Sequence, residues 1–479
     1  MEWHQISPEL SMAVLAVAVV VLDLFIRDKK LVAWLGAVGL IVPLAFTIDL
    51  WNEGSDTIMN DMLAVDQFAL FFKFLIIGIT ALVFMSSWEY VTTKIEHFRG
   101  EFYALVLLSA LGLMLLAAAR DMISIYVALE LSSMSLYALT AFLKDRKSTE
   151  AGLKYLILGG IASATLLYGM VLVFGMTGTT YLDGVKEVIA DIGVTREPVL
   201  FLGVVLVAVG FAFKIAAVPF HMWVPDVYEG APTPITAYLS VASKAAGFAV
   251  ILRIFFEAFG KPGWLFDDWT ALFAVLSAIT MTVGNILAIQ QTNIKRLLGY
   301  SGVAQAGYLM VGLAGASAAG EGQSGIMFFL VVYSLANLGA FIAIIAISNK
   351  IGSDEISDYS GMIKRAPVLA LVLGICLISL TGIPPTGGFI GKLLVFKSAM
   401  DEGLLWLVIF AVVNSVIAAF YYFKVIKVMF LGEAKSEEPV TANMALEFAL
   451  IISTVGVFVL GIYPYAVSKY ADIAAMLIP

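Results

Sequence analysis

The chain has 479 residues, of which 61% are hydrophobic and only 13% are charged, and its formal net charge is −8. A soluble domain carries about 25% charged residues, so this chain has too little polar surface to face water on all sides. No basic run resembles an electrostatic footprint for nucleic acid, so a nucleic-acid partner is not expected. The composition indicates a protein that lies mostly in a lipid bilayer.

The chain offers few residues for redox or metal chemistry. Its one cysteine, Cys376, lies in an apolar run, and its three histidines, His4, His97 and His221, are far apart in sequence. Iron–sulfur clusters need several thiolates, and zinc or haem sites need grouped cysteine or histidine ligands. No glycine-rich dinucleotide turn and no phosphate-binding loop are present in the sequence. We therefore expect no cofactor and no metal in this chain.

Apolar runs follow one another along the whole chain. A helix that spans a bilayer needs about 20 apolar residues, and runs of this length exclude a barrel of ten-residue strands. An acidic residue, rather than a basic region, precedes the first run, so we expect a retained helix and not a signal peptide. Fourteen spans are predicted, at 6–26, 31–51, 66–87, 102–119, 121–143, 152–177, 199–221, 235–257, 267–289, 298–317, 324–348, 366–400, 404–431 and 445–465.

The distribution of lysine and arginine predicts the orientation of these spans. With the N-terminus placed outside, 17 of the 28 basic residues fall in inside loops, seven fall in outside connections, and four lie within spans. Arg253 belongs to the outside group in this assignment, and two outside loops, 51–61 and 266–268, are acidic. Positive charge collects on the cytoplasmic side of membrane proteins. The pattern therefore predicts that both termini lie outside.

The charges within spans are the first candidates for function. Lys73, Lys214, Lys244 and Lys392 lie in apolar runs, and Glu130 is the one acidic residue taken to accompany them. Each such charge costs about 2.5–3.5 kcal/mol at the bilayer centre. Structural ion pairs between helices would explain some of them, but four lysines and one acid do not balance. A proton relay is the preferred interpretation, because burial and a nearby anion shift the proton affinity of a lysine in opposite directions. For Lys73, a structural role and a relay role are equally weighted.

Two of the predicted spans contain residues that break helices. Pro219 follows Lys214 in the seventh span, and Pro384, Pro385, Gly387 and Gly388 precede Lys392 in the twelfth. Proline removes a backbone donor and clashes with the preceding turn, so a break is predicted at both places. Unwound backbone within a membrane is tolerated only where protein or water satisfies it.

The positions of the two breaks predict an internal repeat. They occupy corresponding places in two successive five-helix units, spans 4–8 and 9–13, and an odd number of spans inverts the second unit. Inverted repeats with broken helices are typical of secondary transporters, whose ion sites lie near the membrane midplane. The predicted fold is an all-α polytopic membrane protein with N-terminal spans 1–3 (1–100), a first repeat (101–260), a second repeat (261–432) and a last span (433–479).

Several stretches resemble a known family. EAGLKYLILGGIASATLLYGMVLVFGMTGT (150–179), residues 214–249, NIKRLLGYSGVAQAGY (293–308) and LTGIPPTGGFIGK (380–392) resemble subunit N of bacterial NADH-quinone oxidoreductase, or complex I. KRLLGYS and VPFHMWVPD are shared with other antiporter-like subunits and with multisubunit sodium/proton antiporters, whereas EAGLKY and DVYEGAPTP are specific to subunit N. The resemblance extends over about residues 60–430.

The resemblance implies a fourteen-helix fold with two inverted repeats and a role for each candidate residue. Glu130 matches a glutamate that pairs with the lysine of broken helix seven, which is Lys214 here. Lys244 matches the connecting lysine of helix eight, and Lys392 matches the outward-side residue of broken helix twelve. His221 matches a histidine near the first break, where a link in a water chain and a capping role are both open. The resemblance implies no role for Lys73.

The function implied is that of a proton-translocating subunit in the bacterial inner membrane. FMN and iron–sulfur clusters would lie in partner subunits, which would also bind NADH and quinone, and other membrane-arm subunits would pack against this chain. Protons would enter from the cytoplasm near Lys214 and Lys244 and leave near Lys392. A subunit of a cation/proton antiporter is the alternative from another class, and a sodium requirement would favour it. A related complex that takes electrons from ferredoxin or another donor is a third possibility.

Overall fold

The computed structural model describes residues 2–26, 29–95, 97–192, 197–260, 263–316 and 320–476. Helices make up most of these ranges, and the two strands found there form a single short hairpin. Strand β1 (Asp56–Ile58) pairs antiparallel with β2 (Leu63–Val65), with Thr57 opposite Ala64. The hairpin lies in the acidic loop between the second and third predicted spans.

Thirteen stretches of helix in the described ranges are long and apolar enough to cross a bilayer. Two of them join shorter helices: α3 and α4 together provide 31–50, while α12, a π-helical turn at Leu239–Ser243 and α13 provide 233–257. A 3₁₀ turn occupies Ile356–Tyr359. The helices are α1 (Glu2–Gln5), α2 (Ser7–Phe25), α3 (Lys29–Gly39), α4 (Ile41–Leu50), α5 (Gln67–Lys94), α6 (Arg99–Ala118), α7 (Met122–Thr140), α8 (Arg146–Thr177), α9 (Leu182–Ile192), α10 (Pro198–Ile215), α11 (Val224–Gly230), α12 (Thr233–Tyr238), α13 (Lys244–Glu257), α14 (Gly263–Ile289), α15 (Ile294–Ala314), α16 (Glu321–Ile351), α17 (Met362–Arg365), α18 (Pro367–Thr381), α19 (Gly387–Asp401), α20 (Leu405–Leu431), α21 (Met444–Ile462) and α22 (Tyr465–Ala475).

The predicted all-α membrane fold is confirmed. Each of thirteen predicted spans corresponds to one apolar helical stretch, and the remaining one, at 366–400, consists of α18 and α19. These two helices have 15 residues each, too few for either to cross a bilayer of about 30 Å alone. The small helices α9, α11 and α22 lie outside the predicted spans.

Polar residues that begin several helices explain where those helices start. Asp66, Asp121, Asp145, Asn293 and Asn443 each accept hydrogen bonds from backbone N–H groups in the first turn of the helix that follows. The first N–H groups of a helix lack intrahelical partners, so a side-chain acceptor there stabilises the helix by about 1 kcal/mol. These side chains therefore determine where α5, α7, α8, α15 and α21 begin.

Three helical stretches form the centre of the bundle. In the most apolar 18-residue part of each stretch, the share of buried residues is 100% in 233–257, 94% in 294–314 and 89% in 321–351. The corresponding share is only about a third in α2 and α8. A helix at the edge of a membrane protein exposes apolar side chains to lipid, so low burial identifies the perimeter. Polar groups in the middle of these three stretches are therefore largely enclosed by protein.

Candidate functional site

The first helix break lies next to a buried lysine. Helix α10 ends at Ile215, and residues 216–223, which include Pro219, are not helical before α11 begins, so the predicted break is confirmed. Lys214 lies in the last turn of α10, where the helix dipole favours a positive charge. Its Nζ donates to Ser133 Oγ at 3.0 Å and to Ser132 Oγ at 3.4 Å, both on α7.

Glu130 lies on the same helix as these two serines. It is half-buried, and its Oε1 accepts a hydrogen bond from Ser163 on α8. Among the described residues no ion pair within 4 Å joins Glu130 to Lys214, so the direct pair implied by the resemblance is not present. Ser132 and Ser133 hold the ammonium instead, while the carboxylate remains near enough to act on it electrostatically.

Lys244 follows directly after the π-helical turn of the central helix. Such turns widen a helix locally and occur frequently at functional sites. Its Nζ donates to the carbonyl oxygen of Gly302 on α15 and to Tyr333 Oη at 3.5 Å on α16. A Cβ at position 302 would lie 2.7 Å from this Nζ, so any side chain there would make the ammonium group move. The Tyr333 hydroxyl in turn donates to the carbonyl oxygen of Ser240, within the π-helical turn.

The second break separates α18 from α19. Residues 382–386, which include Pro384 and Pro385, are not helical, and this predicted break is confirmed. Gly387 and Gly388 were expected to belong to the unwound segment, but they are the first two residues of α19. A Cβ at Gly388 would lie 1.8 Å from a backbone carbonyl oxygen of α18. The glycine therefore allows the two half-helices to approach closely rather than unwinding the chain.

Lys392 reaches from α19 back to the end of α18. Its Nζ donates to the carbonyl oxygen of Thr381, the last residue of α18, at 2.8 Å, and to Ser415 Oγ on α20 at 3.2 Å. It also lies 4.2 Å from the ring centroid of Tyr308. The last carbonyl groups of a helix have no intrahelical donors and carry a partial negative charge. Lys392 thus places its ammonium group at the C-terminal end of α18, whereas Lys214 itself belongs to the last turn of α10.

Polar side chains lie between Lys244 and Lys392 in the centre of the bundle, next to the backbone carbonyl groups of Gly302 and Thr381 that accept from the two lysines. Ser301, next to Gly302, hydrogen-bonds to the Tyr422 hydroxyl. Gln305 Nε2 donates to Tyr422 Oη at 3.4 Å and to the carbonyl oxygen that precedes Thr381 at 2.8 Å. We call Lys244, Ser301, Gln305, Tyr422 and Lys392 the polar line. Ser301 and Gln305 are four residues apart on α15, a spacing that could have identified them in the sequence.

The other two candidates lie apart from these contacts. Lys73 forms an ion pair with Glu9 of α2, with Nζ 2.6 Å from Oε1, and both side chains are at most 5% exposed. His221 lies in the unwound segment after α10, half-buried, with its ring 6.4 Å from that of Tyr300. In the described part of the chain it makes no hydrogen bond to any of the lysines at the two breaks or in the central helix.

The sequence pattern predicted that one acidic residue accompanies four buried lysines, and this prediction was wrong, because further acidic and basic residues are buried. Glu9 lies within the first predicted span and was overlooked. Arg253, which was assigned to an outside connection, lies within α13 and is fully buried. Its guanidinium pairs with Asp66 at 3.0 Å and Glu257 at 2.8 Å, and its Nε donates to the carbonyl oxygen of Ala117. The contact with Asp66 links α13 to the start of α5, and the hydrogen bond to Ala117 links it to the end of α6.

A cluster of ion pairs holds α11 next to the first break. Asp226 pairs with Lys154 of α8 and with Arg296 of α15, each at 2.8 Å, and Arg296 also pairs with Glu229 at 3.1 Å. Burial raises the pKa of Asp226, but the hydrogen bonds and charges of Lys154 and Arg296 outweigh burial and hold this pKa below its usual value. The acidic residues of the DVYEG stretch therefore anchor α11 between α8 and α15.

Two helices that are each interrupted near a buried lysine, within a bundle of membrane-spanning helices, indicate a membrane ion translocator of the antiporter type. The model of the family described as "NADH:quinone oxidoreductase/Mrp antiporter, TM" matches residues 119–418, which include Glu130 and the lysines at 214, 244 and 392. NADH-quinone oxidoreductase subunit N of Dehalococcoides mccartyi is 44% identical, over 98% of this chain and 99% of its own length. The chain belongs to this family and, within it, to the group of subunit N proteins.

Two solved structures share the fold along the whole chain. A chain of respiratory complex I from Thermus thermophilus with bound aureothin is 30% identical, with a TM-score of 0.81, and the match covers 97% of this chain and 99% of that one. A chain of the membrane-bound sulfane sulfur reductase, an archaeal respiratory membrane complex, is 27% identical with a TM-score of 0.89, covering 99% of this chain and 98% of that one. These similarities agree with the resemblance seen in the sequence.

Proposed function

We propose that this chain is the proton-translocating membrane subunit of a respiratory NADH-quinone oxidoreductase in a bacterial inner membrane, with both termini on the outer side. The names of its relatives and the fold match to complex I support this function. NADH, quinone, FMN and the iron–sulfur clusters belong to partner subunits in this proposal. The chain itself acts as a translocase without a redox centre, packed against other membrane-arm subunits.

The observation that carries the proposal is the kind of partner that three buried lysines have. Lys214, Lys244 and Lys392 are each held by hydroxyl or carbonyl oxygens, and among the described residues none has a carboxylate within 4 Å. Lys73 differs, because it pairs with Glu9. A neutral acceptor stabilises an ammonium less than a carboxylate does. A change in a neighbouring charge can therefore decide whether such a lysine keeps its proton.

The contacts support an order for proton movement. The helices that carry Lys214 and Lys244 pack against each other: the Lys214 Cγ atom lies 3.6 Å from where a Cβ of Gly247, one turn beyond Lys244, would be. Glu130 lies on α7, the helix that carries the two serines, and acts on Lys214 electrostatically. We propose that protons enter near Lys214, pass to Lys244, and follow the polar line to Lys392, from which they leave to the outside. Redox events in partner subunits would drive this by shifting Glu130 relative to Lys214.

The test replaces a lysine of the site and a matched lysine outside it. Lys392→Ala and Lys214→Ala remove proton carriers, while Lys397→Ala removes an exposed lysine one turn further along α19, 57% exposed. We expect all three to assemble, and the first two to lose proton pumping in inverted membrane vesicles by at least tenfold, the change that about 1.4 kcal/mol produces. Lys397→Ala should pump normally. Normal turnover and pumping in an assembled Lys214→Ala complex would falsify the relay.

A complex with another electron donor is the second candidate, favoured by the fold match to the sulfane sulfur reductase. Purification from native membranes in mild detergent, with assays for flavin, iron–sulfur signals and NADH–quinone activity, separates the candidates. Flavin, clusters and NADH-dependent turnover that travel with the chain support the leading proposal. Clusters without NADH activity support the other donor. A preparation with no redox centre and sodium-dependent exchange would support an antiporter subunit instead.

A further inference from the structure

A long apolar groove opens on the side of the bundle, away from the polar line. Its volume is about 810 Å³, and its walls come from α4, α5, α16, α21 and α22. Two helices form its floor: α5 contributes residues at every third or fourth position from Phe71 to Met85, and α16 does so from Val331 to Leu338. This spacing places each set on one face of its helix. The volume lies within the range of about 300–1,000 Å³ that is usual for ligand sites.

The length of the groove fits a fatty acyl chain. Fourteen residue steps separate Phe71 from Met85, which corresponds to about 21 Å along α5. The hydrocarbon core of a bilayer is about 30 Å thick, so the groove extends from one interface to beyond the midplane without crossing the membrane. An acyl chain ends near the midplane, whereas a spanning helix of a partner would need the full thickness.

One end of the groove has the character of a membrane interface. The Trp51 ring lies 5.7 Å from the Phe74 ring on one wall and 5.7 Å from the Tyr470 ring on the other. The three aromatic rings therefore lie together where they line the groove. Tryptophan and tyrosine are enriched at the headgroup level of membranes. The amide of Asn52 also lines this end of the groove.

A cation is available at the same end. Lys469 Nζ lies 4.6 Å from the ring centroid of Tyr470, and among the described residues it has no carboxylate within 4 Å. A phosphate oxygen is a strong acceptor for an ammonium group. The groove therefore offers an apolar channel for a chain, an aromatic and amide rim, and an unpaired positive charge beside that rim.

We propose that the groove is a binding site for a glycerophospholipid, with its acyl chains along α5 and α16 and its phosphate beside Lys469. The bound lipid would fill the space between the N-terminal helix α4 and the C-terminal helices α21 and α22, which face each other across the groove. It would thereby contact both the N-terminal and the C-terminal helices at the side of the bundle. This site is independent of the relay, so it stands or falls on its own test.

The chain offers a matched pair of variants. Gly78 lines the groove, and a Cβ there would meet no heavy atom within 4 Å, so the side chain of Gly78→Leu starts in open space and extends into the groove. Gly160 on α8 also has no neighbour within 4 Å of an added Cβ, and Gly160→Leu is the control. The chain is purified from native membranes with its accompanying subunits and washed with detergent, and retained phospholipid is counted by mass spectrometry. We expect Gly78→Leu to lose one phospholipid per chain and Gly160→Leu to lose none.

A second measurement identifies the occupant. A photo-activatable residue in place of Ile452, which lines the groove and is 37% exposed, should cross-link to a phospholipid when irradiated in native membranes. Addition of Gly78→Leu to that chain should reduce this adduct at least tenfold. Equal phospholipid retention in the wild-type and Gly78→Leu preparations would overturn the proposal. A cross-link to a partner protein in place of a lipid would overturn it as well.

Discussion

The ion pair between Lys73 and Glu9 gives the sharpest prediction about stability. Both side chains are at most 5% exposed, and Nζ lies 2.6 Å from Oε1, so each charge depends on the other. Removing one partner of a buried pair leaves the other charge uncompensated, at a cost of about 3–5 kcal/mol. We therefore expect Lys73→Met and Glu9→Leu, each alone, to lower the free energy of unfolding by this amount.

Replacing both residues should have a much smaller effect. The second carboxylate oxygen of Glu9, Oε2, is buried without a hydrogen-bond partner among the described residues, so the pair is only partly satisfied. Apolar side chains in place of such a pair are often neutral or stabilising by about 1–4 kcal/mol. The double variant Glu9→Leu/Lys73→Met is therefore expected to be at least as stable as the wild type.

The assay is unfolding in mixed detergent micelles, combined with proton pumping by the assembled complex. The exposed pair of Lys397 with Glu321 is the control, and its double replacement should change stability by no more than about 1 kcal/mol. We expect the double variant of the buried pair to pump normally. If the double variant is stable and assembled but pumps ten times less than the wild type, Lys73 does not have a purely structural role. A double variant as unstable as the single ones would refute the energetic reasoning.

Two further predictions concern a close contact and a titration. Gly302→Ala would place a Cβ 2.7 Å from Lys244 Nζ and displace the ammonium, at a cost of about 1.5–3 kcal/mol for a charged hydrogen bond, so pumping should fall roughly tenfold. Inverted vesicles measure this against Gly160→Ala, and undiminished pumping in the Gly302 variant would contradict it. The pKa of Asp226 lies below its ordinary value of 3.8, because its two cationic partners outweigh burial, so this carboxylate stabilises the fold above that pH and ceases to do so as pH falls through the lower pKa. Asp226→Asn should lower the free energy of unfolding by about 1 kcal/mol at neutral pH and by progressively less below about pH 4. A difference in unfolding free energy between variant and wild type that does not change with pH would exclude this role.

The membrane fold and the two helix breaks could be predicted from local features of the sequence. A run of about 20 apolar residues can satisfy its backbone in a bilayer only as a helix, so hydropathy alone predicts the spans. Pro219 and Pro384 lack a backbone donor wherever they occur, so the breaks follow from residue type. Gly387 and Gly388 were less predictable, because glycine can serve either an unwound segment or a close contact between helices.

The positions of the lysines were determined by the sequence, but their partners were decided only by the tertiary structure. Lys244 and Gly302 are 58 residues apart, and Lys73 on α5 pairs with Glu9 on a different helix, α2. The stretches that carry these residues are apolar around most of their circumference, so hydropathy does not indicate which face meets which neighbour. Rotation and packing of each helix against the others decide that face. The same packing placed hydroxyl and carbonyl oxygens, rather than carboxylates, beside Lys214, Lys244 and Lys392.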